Sequence, residues 1–137
     1  SHPSGSLGRR LLTLVSSIMK SGKDIPMVSK ETLLIDSLLV MSEKALGMVL
    51  IAENEKLIGI FTDGDLRRAL ESNIDFQKLT IGDVMTKDCK SIEPQEPALT
   101  AMQMMEKYSL NSLPVVDSSN NIVGAINMHT LIQAKLF

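Results

Sequence analysis

The chain has 137 residues, 44% of them apolar and 22% charged, with a formal net charge of -2. That is the size of one ordinary domain or two very small ones, with apolar side chains enough for a core. It excludes a polybasic nucleic-acid arm, a membrane-seeking basic helix and a charge-driven disordered tail. One Tyr, 3 Phe and no Trp leave no aromatic platform for stacking single-stranded bases.

Arg9-Arg10 followed by Leu11-Leu12 suggests a secretion signal, but the apolar run stops at Val15 and no small-residue cleavage site follows. The longest unbroken run of apolar residues and glycine, Ala45 to Ala52, falls short of the ~20 residues of a membrane helix. The expectation is a soluble cytoplasmic fragment without its native beginning. Further along, a short extended piece is predicted around Met27-Val28. Leu34, Ile35, Leu38 and Met41 then mark one face of an amphipathic helix. Two strands, Met48 to Ala52 and Leu57 to Phe61, flank the polar turn Glu53-Asn54-Glu55-Lys56, a hairpin signal. A helix starts near Asp63, and Ser72 to Thr80 is a connector.

The same order then returns. Ile81-Gly82-Asp83-Val84-Met85 resembles Val15-Ser16-Ser17-Ile18-Met19. An extended piece is predicted at Ser91-Ile92, and Pro97 suits a helix first turn. Ala98, Leu99, Met102 and Met105 repeat the helical stride, and Leu110 answers Leu46. Strands are predicted at Leu113 to Val116 and Ile122 to Ile126 around the turn Asp117 to Asn121, with a last helix near Met128. The offset drifts between 64 and 66 residues, with the shifts in loops. The chain is thus α/β (α+β): two β-α-β-β-α repeats, 15–75 and 76–137, after a segment 1–14. One unit of about 55 residues buries too little surface to stand alone, so two packed sheet to sheet would share a core. The methionines Met102, Met104 and Met105 read as core packing rather than a flexible groove.

Few residues could carry chemistry. Cys89 is the lone cysteine and forms neither an intrachain disulfide nor a cysteine metal cage. It has no nearby His to make it a nucleophile. His2 and His129 stand at opposite ends, so a zinc site would need the fold to unite them with carboxylates. Asp63 and Asp65 lack calcium-loop spacing and, two apart on a helix, point away from each other. Thr62 falls where strand meets helix, with Asp65 three residues on. That is a capping box, and the same geometry can hold a phosphate at the helix start and a ribose diol on the carboxylate. Arg67 and Arg68 are either solvated or a source of positive charge for phosphate.

The doubled unit resembles a pair of CBS domains, modules that bind nucleotides in the cleft between two copies. The matching residues are Ile18-Met19, Val84-Met85, Gly59-Ile60-Phe61-Thr62-Asp63-Gly64-Asp65 and Leu113-Pro114-Val115-Val116-Asp117. They place the resemblance over nearly all of 15–137. It implies that Thr62 faces phosphate and Asp65 ribose, with Cys89-Lys90 and Asn111-Ser112-Leu113-Pro114 lining the same cleft. The second copy departs from the pattern, with Asn127 in place of the Thr and Thr130 in place of the acid. This implies one competent ribose site, with the second weak or used for another part of a ligand. His129, at the start of the last helix, is either a surface histidine or a contact for carboxylate or phosphate.

Within this family, residues 1–12, Gly59 to Arg68 and Asn127-Met128-His129 are similar to D-arabinose 5-phosphate isomerases. Those enzymes join a sugar-isomerase (SIS) domain to a CBS pair and feed synthesis of the lipopolysaccharide or capsule sugar Kdo. The resemblance implies a regulatory module without catalysis of its own and with no required cofactor. Its ligand would be CMP-Kdo or an adenine nucleotide, and its partners its own SIS domain and a second copy in a dimer or tetramer. No nucleic acid or membrane is implied. His2 corresponds to an active-site histidine of that group. The alternative is a structural oligomerisation module without a functional ligand site.

Overall fold

The structure is a computed structural model and describes residues 8–9 and 11–136. His2 and most of the 1–14 segment lie outside the described residues. A short helix α1 (Val15–Ile18) and a 3-10 turn (Gly22–Asp24) lead into β1 (Met27–Ser29), α2 (Leu34–Lys44), β2 (Met48–Glu53), β3 (Lys56–Thr62) and α3 (Asp63–Glu71). The second repeat runs α4 (Ile81–Val84), α5 (Ala98–Lys107), β4 (Ser112–Val116), β5 (Ile122–Asn127) and α6 (Met128–Gln133). Strand β1 lies parallel to β2, which pairs antiparallel with β3; β4 and β5 form an antiparallel pair.

The second repeat's first strand shrinks to one bridge, Ile92 to Val115. Its register matches that of Val28 with Ile51, which places Pro114 where the first repeat has Leu50. The Leu50 N–H donates to the Pro26 carbonyl at 2.7 Å. Pro114 has no N–H to give, and Pro94 cuts the strand short two residues beyond Ile92.

The helical stride places Leu34 and Met41 in the core, with Ser37 between them. The buried Ser37 hydroxyl is satisfied by donating to the Leu33 carbonyl at 3.1 Å. Ile35, at the margin of the stripe, is left exposed. In α5, Ala98, Ala101 and Met105 are buried, and Met102 and Met104 pack half-buried against the second repeat's core.

Each lead-in segment lies on the opposite repeat. Val15, Ile18 and Met19 join the core of the second repeat, while Ile81, Val84 and Met85 join that of the first. Backbone bonds hold both exchanges. Lys20 and Ala125 trade N–H to carbonyl bonds at 2.8 and 3.0 Å, and Ile60 and Thr86 do so at 3.0 and 2.8 Å. The first N–H of α2 goes to the Leu79 carbonyl and that of α5 to the Thr13 carbonyl, both at 2.8 Å. These satisfy helix starts whose N-cap residues, Leu33 and Pro97, make no side-chain cap. Gly59 and Gly124 make room for the crossing. A Cβ there would sit 2.8 Å from Met85 Cγ and 2.9 Å from Met19 Cγ, respectively. A third cluster unites the two sheets: Ile25, Leu46, Met48, Leu50 and Ile60 meet Ala125, with Ile122 and Cys89 at its edge.

Candidate functional site

The exchange leaves a cleft where the strand ends of the two repeats converge. Strand β3 delivers Thr62 to the start of α3. The Thr62 Oγ1 accepts from the Asp65 N–H at 3.3 Å, and the Thr62 N–H donates to Asp65 Oδ2 at 2.9 Å, closing the capping box. The Thr62 hydroxyl donates to Asp65 Oδ2 at 3.1 Å, and an Arg68 guanidinium nitrogen donates to Oδ1 at 2.6 Å. The Asp65 side chain is 14% exposed and that of Arg68 70%, so the carboxylate is held in the wall while its arginine reaches it from solvent. The capping role expected for Thr62 and Asp65 is thus seen in the structure.

The cavity has a volume of about 860 Å³. Of the residues named from the sequence, Thr62, Asp65 and Arg68 line it from the first repeat. Lys90, Ser112, Asn127 and His129 line it from the second. Arg67, Leu113 and Pro114 do not line it. Arg67 is exposed on α3, and Leu113 and Pro114 are buried within β4. Strand alternation turns the Ser112 side chain to the cleft and its successor Leu113 into the core.

At the second repeat's counterpart of Thr62, the Asn127 Oδ1 accepts from the Thr130 N–H at 2.8 Å and the Thr130 hydroxyl at 2.7 Å. The Asn127 amide donates across the cleft to the Leu46 carbonyl at 3.4 Å. Thr130 is buried and supplies no carboxylate. Cys89 lines the cavity half-buried, and burial pushes its thiol up from its ordinary pKa, so it is a protonated wall group and no thiolate.

Sequence reasoning missed Tyr108, Ile60, Thr86 and the loop Ala45 to Gly47, which also line the cleft. The Lys90 ammonium lies 4.4 Å from the centre of the Tyr108 ring, and that of Lys107 5.3 Å away. The match of Leu46 with Leu110 pairs the two helix-to-strand loops, and it was the one signal that could have found them. Both loops enter the wall through left-handed residues, Ala45 and Gly47 in one and Ser109 in the other. The cleft thus offers acceptors at Asp65 and exposed cations at Arg68 and Lys90. That combination can take a diol and a neighbouring anion.

Two stretches, 15–72 and 81–136, match the CBS domain family. The chain is 47% identical over 136 residues to "Arabinose 5-phosphate isomerase KdsD" of Francisella tularensis subsp. tularensis, covering 99% of this chain and 42% of that protein. It is also 47% identical over 135 residues to the KdsD of Pseudomonas aeruginosa, covering 98% and 41%. The chain thus spans about two fifths of the length of these relatives. Among solved structures, the CBS domain pair of protein MJ0100, in complex with 5'-methylthioadenosine and S-adenosyl-L-methionine, superposes with a TM-score of 0.79. That match is 24% identical and covers 90% of this chain and 95% of that one. CBSX2 in complex with AMP superposes with a TM-score of 0.76 at 21% identity, covering 90% and 96%. Matched over nearly its own full length by these relatives, and with both of its repeats matched by the family, the chain belongs to the CBS domain family, as a tandem pair.

Proposed function

We propose that this pair is the regulatory module of an arabinose 5-phosphate isomerase in cytoplasmic Kdo, lipopolysaccharide or capsule synthesis, and that it binds a nucleotide or sugar nucleotide. One observation carries the reading: Asp65, fixed by Thr62, faces a cavity whose volume lies in the range of small-molecule sites. Asp65 takes the ribose diol, and Thr62 with the α3 start takes phosphate. The diol competes with Arg68 for the carboxylate, and a displaced Arg68 can turn to the phosphate. Lys90 and His129, which line the cavity from the second repeat, would meet a further acidic group of the ligand, as in CMP-Kdo. The AMP and S-adenosyl-L-methionine complexes named for the two solved pairs support an adenine nucleotide instead. Arg67 adds positive charge from outside the wall, Ser112 and Asn127 line it, and Leu113 and Pro114 back it from within β4. Isomerisation belongs to the SIS domain, with His2 joining that site, and the purified chain turns over no arabinose 5-phosphate.

Thermal-shift titration with CMP-Kdo, CMP, AMP and ATP tests this on wild type and Asp65→Ala. Asp65→Ala alone lowers stability by about 1 kcal/mol through the lost cap partner. A ligand at 100 times its Kd adds about 2.7 kcal/mol to wild type. A ligand shift in wild type that Asp65→Ala abolishes supports the reading, and no shift with any of the four rejects it. A second reading, assembly into a dimer or tetramer, is favoured by Leu39 on α2 and Leu70 on α3, which are 67% and 64% exposed. Light scattering on wild type and Leu39→Glu tests it. A wild type that is monomeric at high concentration rules it out.

A further inference from the structure

The two halves of the cleft are related by the repeat, so each position has a counterpart. The paired bridges Val28 to Ile51 and Ile92 to Val115 fix the register at 64 residues on this side. That register sets Ile25 against Cys89 and Pro26 against Lys90. Their environments differ. Cys89 and Lys90 line the cavity, whereas Ile25 and Pro26 are buried and no residue from 20 to 26 lines it. Ile25 is 8% exposed, packed with Leu46, Met48, Ile60 and Ala125.

The cause is legible in the chain. From Met19 to Val28 is nine positions, from Met85 to Ile92 only seven. The two extra residues fold into the 3-10 turn at Gly22–Asp24, and the Ile25 N–H closes it by donating to the Gly22 carbonyl at 3.2 Å. On the same side, Asn127 spans to Leu46 and Thr130 replaces the diol acceptor. Side-chain size, chain length and the missing carboxylate all disfavour a ligand there, each independently of the others.

We infer that each chain takes one ribonucleotide, on the side walled by Asp65 and Cys89, and that the small Cys89 side chain keeps that side open where Ile25 fills its counterpart. This rests on the nucleotide-binding reading above and goes further in naming the residue that decides which side binds. Cys89 acts here by its size, with no thiol chemistry.

Calorimetry with AMP and with CMP-Kdo on the whole chain tests it. The expected result is one ligand per chain, weakened at least tenfold by Cys89→Ile and by Asp65→Asn and unchanged by Thr130→Val. Amide NMR of the wild type, which needs no variant to fold, should show AMP or CMP-Kdo shifting Asp65 and Thr86 to Lys90 but not Ser21 to Ile25. Two ligands per chain, or shifts at Ser21 to Ile25 equal to those at Thr86 to Lys90, overturn the inference while leaving nucleotide binding standing. So does full affinity in a folded Cys89→Ile. Binding of neither probe by calorimetry or NMR overturns both.

Discussion

Replacing Gly124 with Ala probes the exchange of lead-in segments directly. An added Cβ would lie 2.9 Å from Met19 Cγ and 2.9 Å from the Lys20 carbonyl oxygen. Ordinary contact begins about 0.5 Å further out. The thioether of Met19 can turn aside, but the Lys20 carbonyl is held by its 3.0 Å bond from the Ala125 N–H, one residue from the substitution. Relief therefore stretches the Lys20–Ala125 bridge. Overpacking of this kind costs about 1–3 kcal/mol, and a weakened backbone bond adds up to about 1 kcal/mol. The reduced freedom of the unfolded chain returns about 0.4–1 kcal/mol. The net is a loss of about 1–3 kcal/mol, or a Tm lower by roughly 4–12 °C for a chain of this length. Gly59→Ala is the internal control, since the three atoms nearest its Cβ would all belong to the Met85 side chain. Its cost should be about half as large or less. Urea and thermal unfolding of the two variants side by side would decide. Equal costs, or a neutral Gly124→Ala, would refute a tight crossing at Lys20.

Further outcomes are open to simple assays. Because burial raises the Cys89 pKa, iodoacetamide at pH 7.5 should alkylate the folded chain about tenfold more slowly than the urea-unfolded one. A bound nucleotide should slow it further, and equal rates would contradict the buried wall position. The Asp117 carboxylate is held below its ordinary pKa, chiefly by the Asn121 N–H and then by the Asn121 amide, which donate at 2.9 and 3.2 Å. A depressed folded pKa stabilises the fold above the unfolded value of about 3.9 and ceases to do so as pH falls through the folded one. The stability gap between wild type and Asp117→Ala should thus be constant above about pH 5 and shrink below about pH 4; a gap unchanged down to pH 2 would refute this. Lys56→Ala removes bonds from Nζ to the Ser119 carbonyl at 2.7 Å and Asn121 Oδ1 at 3.3 Å. Being exposed, these should contribute under about 1 kcal/mol in urea unfolding.

The repeat was legible because its stride and hairpins are local patterns: Leu34 and Met41, Ala98 and Met105, and the turns at 53–56 and 117–121 all fall where periodicity and turn residues put them. The capping box at Thr62 was legible for the same reason, as its partners are three residues apart. The partners of Val15 and Ile81 were not, because a four-residue helix carries no signal for which sheet it will cover. Lining by Tyr108 escaped notice because it depends on a loop folding towards a lysine 18 positions earlier in the chain. Leu113 and Pro114 were named from a motif whose alternation sends Leu113 inward, a distinction that only the register of β4 supplies. The loss of the second repeat's first strand follows from Pro114 and Pro94, both visible in the sequence, but only once the pairing partner is known.

The crossed lead-in segments make each repeat an incomplete folding unit. A chain cut in the connector leaves the first half with Ile60 lacking its Thr86 partner and the second with Ala125 lacking Lys20. Each fragment would expose a raw strand edge and an uncovered glycine. Neither half can therefore melt first, so thermal unfolding should be a single cooperative step despite two distinct cores. The same halves, mixed, have every reason to find one another again, as complementary pieces of a split protein.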